Sequence, residues 1–190
     1  MARLLYLHGF LSAPASRKAQ DLHARMRERG CGDAFICPQL PISPKAAIEL
    51  AESLLQPDTT VVGSSLGGFY ATWLCERYPA LVSKAILVNP AVVAYLSLAQ
   101  YIGVQKNLYT GVAFDFTQTH IDEMQALDVP TLKRQDAYWL LAEEGDEVLD
   151  YRQAVSKYQG AQQTILPGGN HNFSRWHDYL DQVIDVAMSV

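Results

Sequence analysis

Short apolar runs alternate along the chain with longer stretches in which apolar residues recur every three or four positions. The runs lie at residues 3–7, 34–37, 59–62, 85–88, 137–141 and 163–166. They are continuous rather than alternating with polar residues, which is typical of strands buried on both faces of a parallel sheet. The stretches between them, such as 16–29 and 45–55, predict amphipathic helices. The pattern therefore predicts an α/β fold in a single domain over residues 1–190, with a mostly parallel six-stranded sheet and helices on both faces.

One segment, at about residues 91–127, interrupts this alternation. It shows no clear strand, and its aromatic residues include Tyr95, Tyr101, Tyr109, Phe114 and Phe116. Ligands of open α/β sheets bind outside the carboxyl ends of the strands. We therefore expect the insertion to form a small cap or lid over a site there. The alternative is an irregular excursion that packs on the core.

Composition and charge limit the classes of molecule that the protein is expected to bind. The chain has 190 residues, of which 49% are hydrophobic, and a formal net charge of −5 without any basic run. This charge argues against nucleic acid and anionic membranes as main partners. No apolar stretch reaches the ~20 residues that span a bilayer. No secretory signal is visible either, so a cytoplasmic location is expected.

The cysteines predict neither a disulfide framework nor a metal site. Cys31, Cys37 and Cys75 are odd in number and lack C-x-x-C spacing. Without a secretory signal, such cysteines are expected to be reduced thiols. A zinc site is equally unexpected, because structural zinc sites use closely spaced ligand pairs.

The first candidate for chemistry is a nucleophilic serine. Gly63-Ser-Ser-Leu-Gly67 matches the pattern G-x-S-x-G, with Ser65 at its centre. A β-branched strand leads into the motif and a helix pattern over residues 69–78 follows it, which is the setting of the nucleophile in α/β-hydrolases. The Leu66 N–H, at the start of that helix, is expected to stabilise an oxyanion. Ser64 fits less well because it is not centred between the glycines, and the alternative is that both glycines merely end a strand and start a helix.

Five histidines are candidates for the general base, which follows the nucleophile and the acid along the chain in this fold. They are His8, His23, His120, His171 and His177. The first two precede the nucleophile, and the third lies before the last two predicted strands. We predict His171 as the base because it lies in the short polar loop after the last strand. His177 is placed in the final helix as a surface or packing residue, and the alternative for His171 is a loop residue without function.

The acid is expected after one of the two strands that precede the last. Residues 142–148 carry four carboxylates, which are Glu143, Glu144, Asp146 and Glu147. Asp146 follows a glycine where the chain turns into the next helix, so we predict it as the acid that holds the imidazole. The other three are expected to lie in a solvated acidic loop and at a helix start, where negative charge is favourable.

A second oxyanion donor is expected near the N-terminus. His8-Gly9 ends the first predicted strand, and in α/β-hydrolases a loop after an early strand supplies this donor. We predict the Phe10 N–H in that role and a structural role for His8. The alternative is an ordinary glycine turn at the end of a strand.

Together these motifs resemble the small bacterial esterases of the YqiA type. The resemblance is carried by LHGFLSAP (7–14), GSSLGGFY (63–70), VNPA (88–91), GDEVLDY (145–151) and GGNHNF (168–173). It implies a minimal α/β-hydrolase that acts on acyl esters or thioesters. The triad of the family falls on Ser65, Asp146 and His171, and Asn89 is implied to be structural.

The predicted activity is that of a serine carboxylesterase without metal or organic cofactor. Its partner would be a small-molecule acyl ester or thioester, with short or medium acyl groups favoured. The predicted pocket residues are Leu11, Phe69, Tyr95, Tyr101 and Tyr109. The alternatives are a thioesterase, lactonase or peptidase with the same triad, and a catalytically inactive ligand-binding protein of this fold. The sequence does not fix the oligomeric state.

Overall fold

A parallel sheet forms the centre of the structure, a computed structural model that describes residues 2–189. The strands are β1 (Arg3–Leu7), β2 (Phe35–Ile36), β3 (Thr59–Ser64), β4 (Val82–Val88), β5 (Gly103–Lys106), β6 (Ala113–Phe116), β7 (Tyr138–Glu143) and β8 (Gln162–Leu166). Six of these form the sheet in the order β2-β1-β3-β4-β7-β8, and all of its neighbouring strands are parallel. The predicted six-stranded sheet is confirmed.

Helices cover both faces of the sheet, as predicted. They are α1 (Arg17–Glu28), α2 (Pro44–Ser53), α3 (Leu66–Arg77), α4 (Ala94–Leu98), α5 (Gln118–Ala126), α6 (Tyr151–Lys157) and α7 (Trp176–Met188). Successive residues of a strand point to opposite faces. Leu4 and Tyr6 accordingly pack in a core with α1 and α7, whereas Leu5 and Leu7 pack in a second core with α2, α3 and α6.

The strand order fixes where a site can form. From β1 the chain runs outward to β2, then returns to place β3 on the other side of β1. At such a switch point the loops after the two central strands diverge and leave a crevice at the carboxyl edge. The loops after β1, β3, β7 and β8 all open on this edge, and they carry the residues singled out in the sequence.

The segment 91–127 differs from its prediction, because it contains strands. β5 and β6 form an antiparallel hairpin between α4 and α5. Half of the residues in each strand are exposed, so neither strand shows the continuous apolar run that marks the central sheet. Phe116 and Met124 are buried in the second core, together with Leu5 and Leu7, so the segment is also anchored to the central sheet.

Candidate active site

Ser65 lies in the sharp turn between β3 and α3. Its φ of 55° and ψ of −118° are strained for a residue with a side chain. A Cβ at Gly63 would overlap the backbone of Gly67, and a Cβ at Gly67 would overlap the carbonyl of Leu7. Both glycines are therefore required by close backbone approach. The helix begins at Leu66 rather than at the predicted Phe69.

Ser65, His171 and Asp146 form a continuous chain of hydrogen bonds. The Nε2 atom of His171 lies 3.0 Å from the Oγ atom of Ser65. On the other side of the ring, Nδ1 lies 2.9 and 2.8 Å from the two carboxylate oxygens of Asp146. Nδ1 therefore donates its hydrogen to the carboxylate and leaves Nε2 free to accept the serine proton, which is the arrangement of a nucleophile with its base and orienting acid.

The backbone around Asp146 fixes the orientation of its carboxylate. Its side chain is only 2% exposed, and Oδ1 accepts hydrogen bonds of 2.9 Å from the backbone N–H groups of Val148 and Leu149. These donors hold the carboxylate where it faces the imidazole. The backbone N–H of His171 donates to the carboxylate of Glu147 at 2.9 Å, which fixes the histidine loop as well.

Glu143 is completely buried under the histidine loop, contrary to the expectation of a solvated carboxylate. Its two oxygens accept hydrogen bonds from the backbone N–H groups of Asn170, Ser174 and Arg175 and from the Ser174 hydroxyl, at 2.7 to 3.0 Å. Burial alone would raise the pKa of Glu143, but these hydrogen bonds outweigh it and lower the pKa below its ordinary value. A buried carboxylate thus holds the loop that carries His171.

Asn89 links β4, β7 and the same loop, in line with the structural role that the resemblance implies. Its Oδ1 accepts the N–H of Glu143, and its Nδ2 donates to the carbonyl oxygens of Asn170 and His171. The residue has a φ of 41°, a left-handed conformation that asparagine tolerates better than most residues. It therefore ties the ends of two strands to the histidine loop.

The two predicted oxyanion donors belong to backbone segments next to Ser65. Leu66 is the first residue of α3, and Phe10 follows Gly9, where an added Cβ would lie 3.2 Å from the Cβ of Ser65. Within residues 2–189, no backbone acceptor takes the N–H of either residue. Two free donors next to the Ser65 hydroxyl are suited to an oxyanion.

His8 fixes the loop that contains Phe10. Its Nε2 accepts the N–H of Leu40 at 3.1 Å, and its Nδ1 lies 3.0 Å from the carbonyl oxygen of Gly9. Burial lowers the pKa of His8, so the ring is neutral and can accept at one nitrogen and donate at the other. This contact pattern agrees with a structural role.

Two cavities meet at the loop of residues 8–12. The larger, here called the polar cavity, has a volume of about 640 Å³ and is lined by Ser65, His171 and Lys18 among others. The smaller, here called the apolar cavity, has a volume of about 280 Å³ and lies against Leu66 and Tyr70. Both cavities share His8, Gly9, Phe10 and Ser12 as a common wall.

The predicted pocket residues separate into two groups. Leu11 lines the apolar cavity and Tyr109 lines the polar cavity. Phe69 is 3% exposed and belongs to the core, while Tyr95 and Tyr101 pack partly buried against it. None of these three lines either cavity. An aromatic side chain can line a pocket or pack in the core, and the sequence pattern alone does not distinguish a pocket residue from a core residue.

Several residues around the site were missed by sequence reasoning. Tyr70 and Lys18 line the cavities, and Glu143 supports the histidine loop. Burial lowers the pKa of the Lys18 ammonium to about 8, although the nearby carboxylates of Asp146 and Glu143 oppose the shift. The sequence held one usable signal, since Tyr70 lies four residues after Leu66 and therefore on the same helix face.

The part of the chain that the structure describes offers no cluster of three or more histidine, cysteine or acidic side chains that could hold a metal ion. None of the helices found between residues 2 and 189 has the length and apolar character needed to cross a membrane.

A comparison with models of protein families shows which family the chain belongs to. The model of the uncharacterised protein family UPF0227 matches residues 3–188. The chain belongs to this family. The match covers nearly the whole sequence and confirms the resemblance to the YqiA type.

Solved structures share the fold at low sequence identity. A candidate hydrolase from Agrobacterium vitis S4 has a TM-score of 0.78 and 18% identity, and the match covers 98% of this chain and 87% of that one. Alpha/beta hydrolase domain-containing protein 10 from mouse has a TM-score of 0.75 and 15% identity, with 96% and 88% covered. A monoacylglycerol lipase from Paleococcus ferrophilus has a TM-score of 0.68 and 14% identity, with 98% and 93% covered. These similarities establish the α/β-hydrolase fold.

Proposed function

We propose that the protein is a serine hydrolase that transfers an acyl group from an ester or thioester to water. The observation that carries the proposal is the hydrogen-bond chain from Ser65 through His171 to Asp146, built on a strained turn. A buried carboxylate, an imidazole and a partly buried hydroxyl in this order have a known chemical use, which is to generate a serine nucleophile.

The proposed reaction proceeds through an acyl-enzyme. His171 takes the proton of Ser65 as Oγ attacks the carbonyl carbon, and Asp146 stabilises the imidazolium that forms. The N–H groups of Phe10 and Leu66 bind the oxyanion, and His171 then protonates the leaving group. Water, activated by the same imidazole, hydrolyses the acyl-enzyme and restores the serine. All of these steps use side chains and backbone groups of this chain.

The segment 91–127 is proposed to cap the site. Leu108 and Tyr109, at the tip of the β5–β6 hairpin, line the polar cavity. Val112 and Phe114 line the apolar cavity, so the hairpin forms part of the wall of both. A carboxylic ester and a thioester would be attacked by the same triad.

The proposal is tested by hydrolysis of p-nitrophenyl acetate, butyrate and octanoate, followed by a panel of acyl thioesters. Wild-type protein should hydrolyse at least one of these substrates, and Ser65→Ala should lose the activity by a factor of about 10⁴ or more. Ser53→Ala, at the end of α2, is the matched control and should retain wild-type rates. Wild-type protein that is as inert as Ser65→Ala on every ester and thioester would instead indicate a binding protein of this fold.

A further inference from the structure

The apolar cavity begins next to the nucleophile. Leu66, which directly follows Ser65, lines it, as does Gly9, whose added Cβ would lie 3.6 Å from the serine Oγ. Neither Ser65 nor His171 lines this cavity. It therefore opens on the side of the oxyanion donors and away from the base.

The position of His171 decides which part of a substrate enters which cavity. The leaving-group atom has to receive its proton from Nε2 of His171, so the leaving group must lie on the side of that ring. His171 lines the polar cavity. The carbonyl carbon is bonded to both groups, so the acyl chain is directed to the other side, where the apolar cavity lies.

The size and lining of the apolar cavity define the acyl group that fits. Its volume is about 280 Å³, and at roughly 30 Å³ for each water-sized group it holds about nine heavy atoms. Its walls include the apolar side chains of Leu40, Ile42, Val112 and Phe114. An acyl chain of medium length would bury its methylene groups here.

Tyr70 adds a polar feature inside this apolar wall. The residue is 3% exposed and lines the cavity one helical turn beyond Leu66. Within residues 2–189 its hydroxyl makes no hydrogen bond to another protein group, and it is not one of the fully buried polar atoms that lack a partner, so it borders the open space of the cavity. Burial, together with the Glu123 carboxylate, raises the pKa of Tyr70, so the hydroxyl is a neutral donor.

A hydroxyl that donates to no protein group and borders the cavity is available as a donor to a ligand oxygen. We infer that the apolar cavity binds the acyl group of the substrate and that Tyr70 selects medium-length acyl chains carrying a keto or hydroxyl oxygen several bonds from the scissile carbonyl. The inference rests on the proposed hydrolase function and specifies its substrate class.

The first test fills the cavity. Val112→Trp places a large side chain in the wall of the apolar cavity, whereas Val104→Trp changes an exposed valine of the same hairpin that lines neither cavity. For Val112→Trp, kcat/KM for p-nitrophenyl octanoate should fall roughly tenfold or more relative to the acetate ester. For Val104→Trp, the ratio of the two values should stay as in the wild type.

The same variant also tests the orientation of the substrate. With an acetyl group held constant, Val112→Trp should tolerate a naphthyl leaving group as well as the wild type does. A variant that rejects the bulkier leaving group and still accepts the octanoyl chain would overturn the assignment of the two cavities. An unchanged ratio of octanoate to acetate would overturn it as well.

The second test removes only the Tyr70 hydroxyl. The substrates are p-nitrophenyl octanoate and the ester of an octanoyl chain with a ketone near its far end. In the wild type the oxo ester should be preferred, and Tyr70→Phe should lower this preference roughly tenfold. An equal preference in the two proteins would overturn the role of Tyr70.

Hydrolysis of the acetate ester separates the possible failures. Acetate turnover by the wild type shows that the triad works, and circular dichroism spectra that match the wild type show that each variant is folded, so an unchanged chain-length profile then contradicts only the cavity assignment. Wild-type protein that hydrolyses no ester or thioester would contradict both the assignment and the proposed function.

Discussion

Glu143 and Asp146 lie three residues apart, and each carboxylate has a different task. Asp146 faces the imidazole of His171, whereas Glu143 gathers backbone donors from the loop that carries the histidine. Because hydrogen bonds to a buried carboxylate favour its charged form, Glu143 contributes to stability as an anion. The position of His171 therefore depends on a residue whose side chain does not contact the imidazole.

Glu143→Gln should lower the free energy of unfolding by about 1–3 kcal/mol, because the amide group turns an NH₂ toward donors that previously met an oxygen. Loosening of the histidine loop should also lower kcat. Urea unfolding and ester hydrolysis measure the two effects, and Glu144→Gln, at an exposed neighbour, is the matched control.

The effect of Glu143 should depend on pH with a defined sign. Its pKa is lowered in the folded state, so its contribution is complete above the ordinary value of 4.5 and is lost as the pH falls through the folded-state pKa. The stability difference between wild type and Glu143→Gln should therefore shrink on acidification below that value. A difference that grows at acid pH would contradict this account of Glu143.

At the residue scale, the sequence predicts the three triad residues better than it predicts the residues that hold them in position. Chain order and the G-x-S-x-G motif point to Ser65, Asp146 and His171, which the structure brings within hydrogen-bond distance. Glu143 could not be distinguished from its exposed neighbour Glu144. Its burial arises from the loop after β8 folding over it, which is a tertiary contact without a local signal.

At the element scale, close backbone contact between β1, β3 and α3 holds the turn that carries Ser65. Gly67 lies in the first turn of α3 and faces the carbonyl of Leu7 at the end of β1. The distance between helix and strand at this point leaves no room for a side chain. The strain at Ser65 is therefore maintained by packing between elements.

Gly67→Ala should destabilise the protein by about 3 kcal/mol or more, because β1 and α3 would have to separate. Gly160→Ala is the control, since its Cβ would meet only the side chain of Gln135, at 3.1 Å. Urea unfolding of both variants gives the comparison. Equal stability of the two variants would show that the turn is not held by this contact.

The prediction of elements succeeded for the strands of the central sheet and failed for the partly exposed hairpin. The six strands of the central sheet were visible as apolar runs, although their ends shifted by up to three residues, as in β4. The β5–β6 hairpin was missed because exposed residues interrupt its apolar pattern. Helix α3 was placed too late, since two glycines obscure its start.

At the scale of the whole molecule, the hairpin and the loop of residues 8–12 form one wall around both cavities. Asn107 joins them, because its Nδ2 donates to the carbonyl oxygen of Ser12 at 2.7 Å. Its Oδ1 accepts the N–H groups of Tyr109 and Thr110, each at 2.9 Å. The backbone N–H of Leu108 also donates to the carbonyl oxygen of the loop residue Leu11.

Asn107→Ala should raise KM for p-nitrophenyl esters by roughly three- to tenfold and change kcat less, because it loosens the cavity wall and leaves the triad intact. Steady-state kinetics measure both constants, with Gln100→Ala as an exposed control outside the cavities. A loss confined to kcat would mean that the hairpin does not form a substrate-binding wall.

The central claim is that Ser65 is an activated nucleophile, and covalent labelling with a fluorophosphonate, followed by mass spectrometry of the intact protein and its peptides, tests it most directly. The account predicts one adduct on Ser65 in the wild type, none in Ser65→Ala, and labelling slowed by a factor of about 10³–10⁴ in Asp146→Asn, where the imidazole loses its orienting carboxylate. Wild-type protein that stays unlabelled, or that carries the adduct on Ser64 or another residue, would contradict the claim.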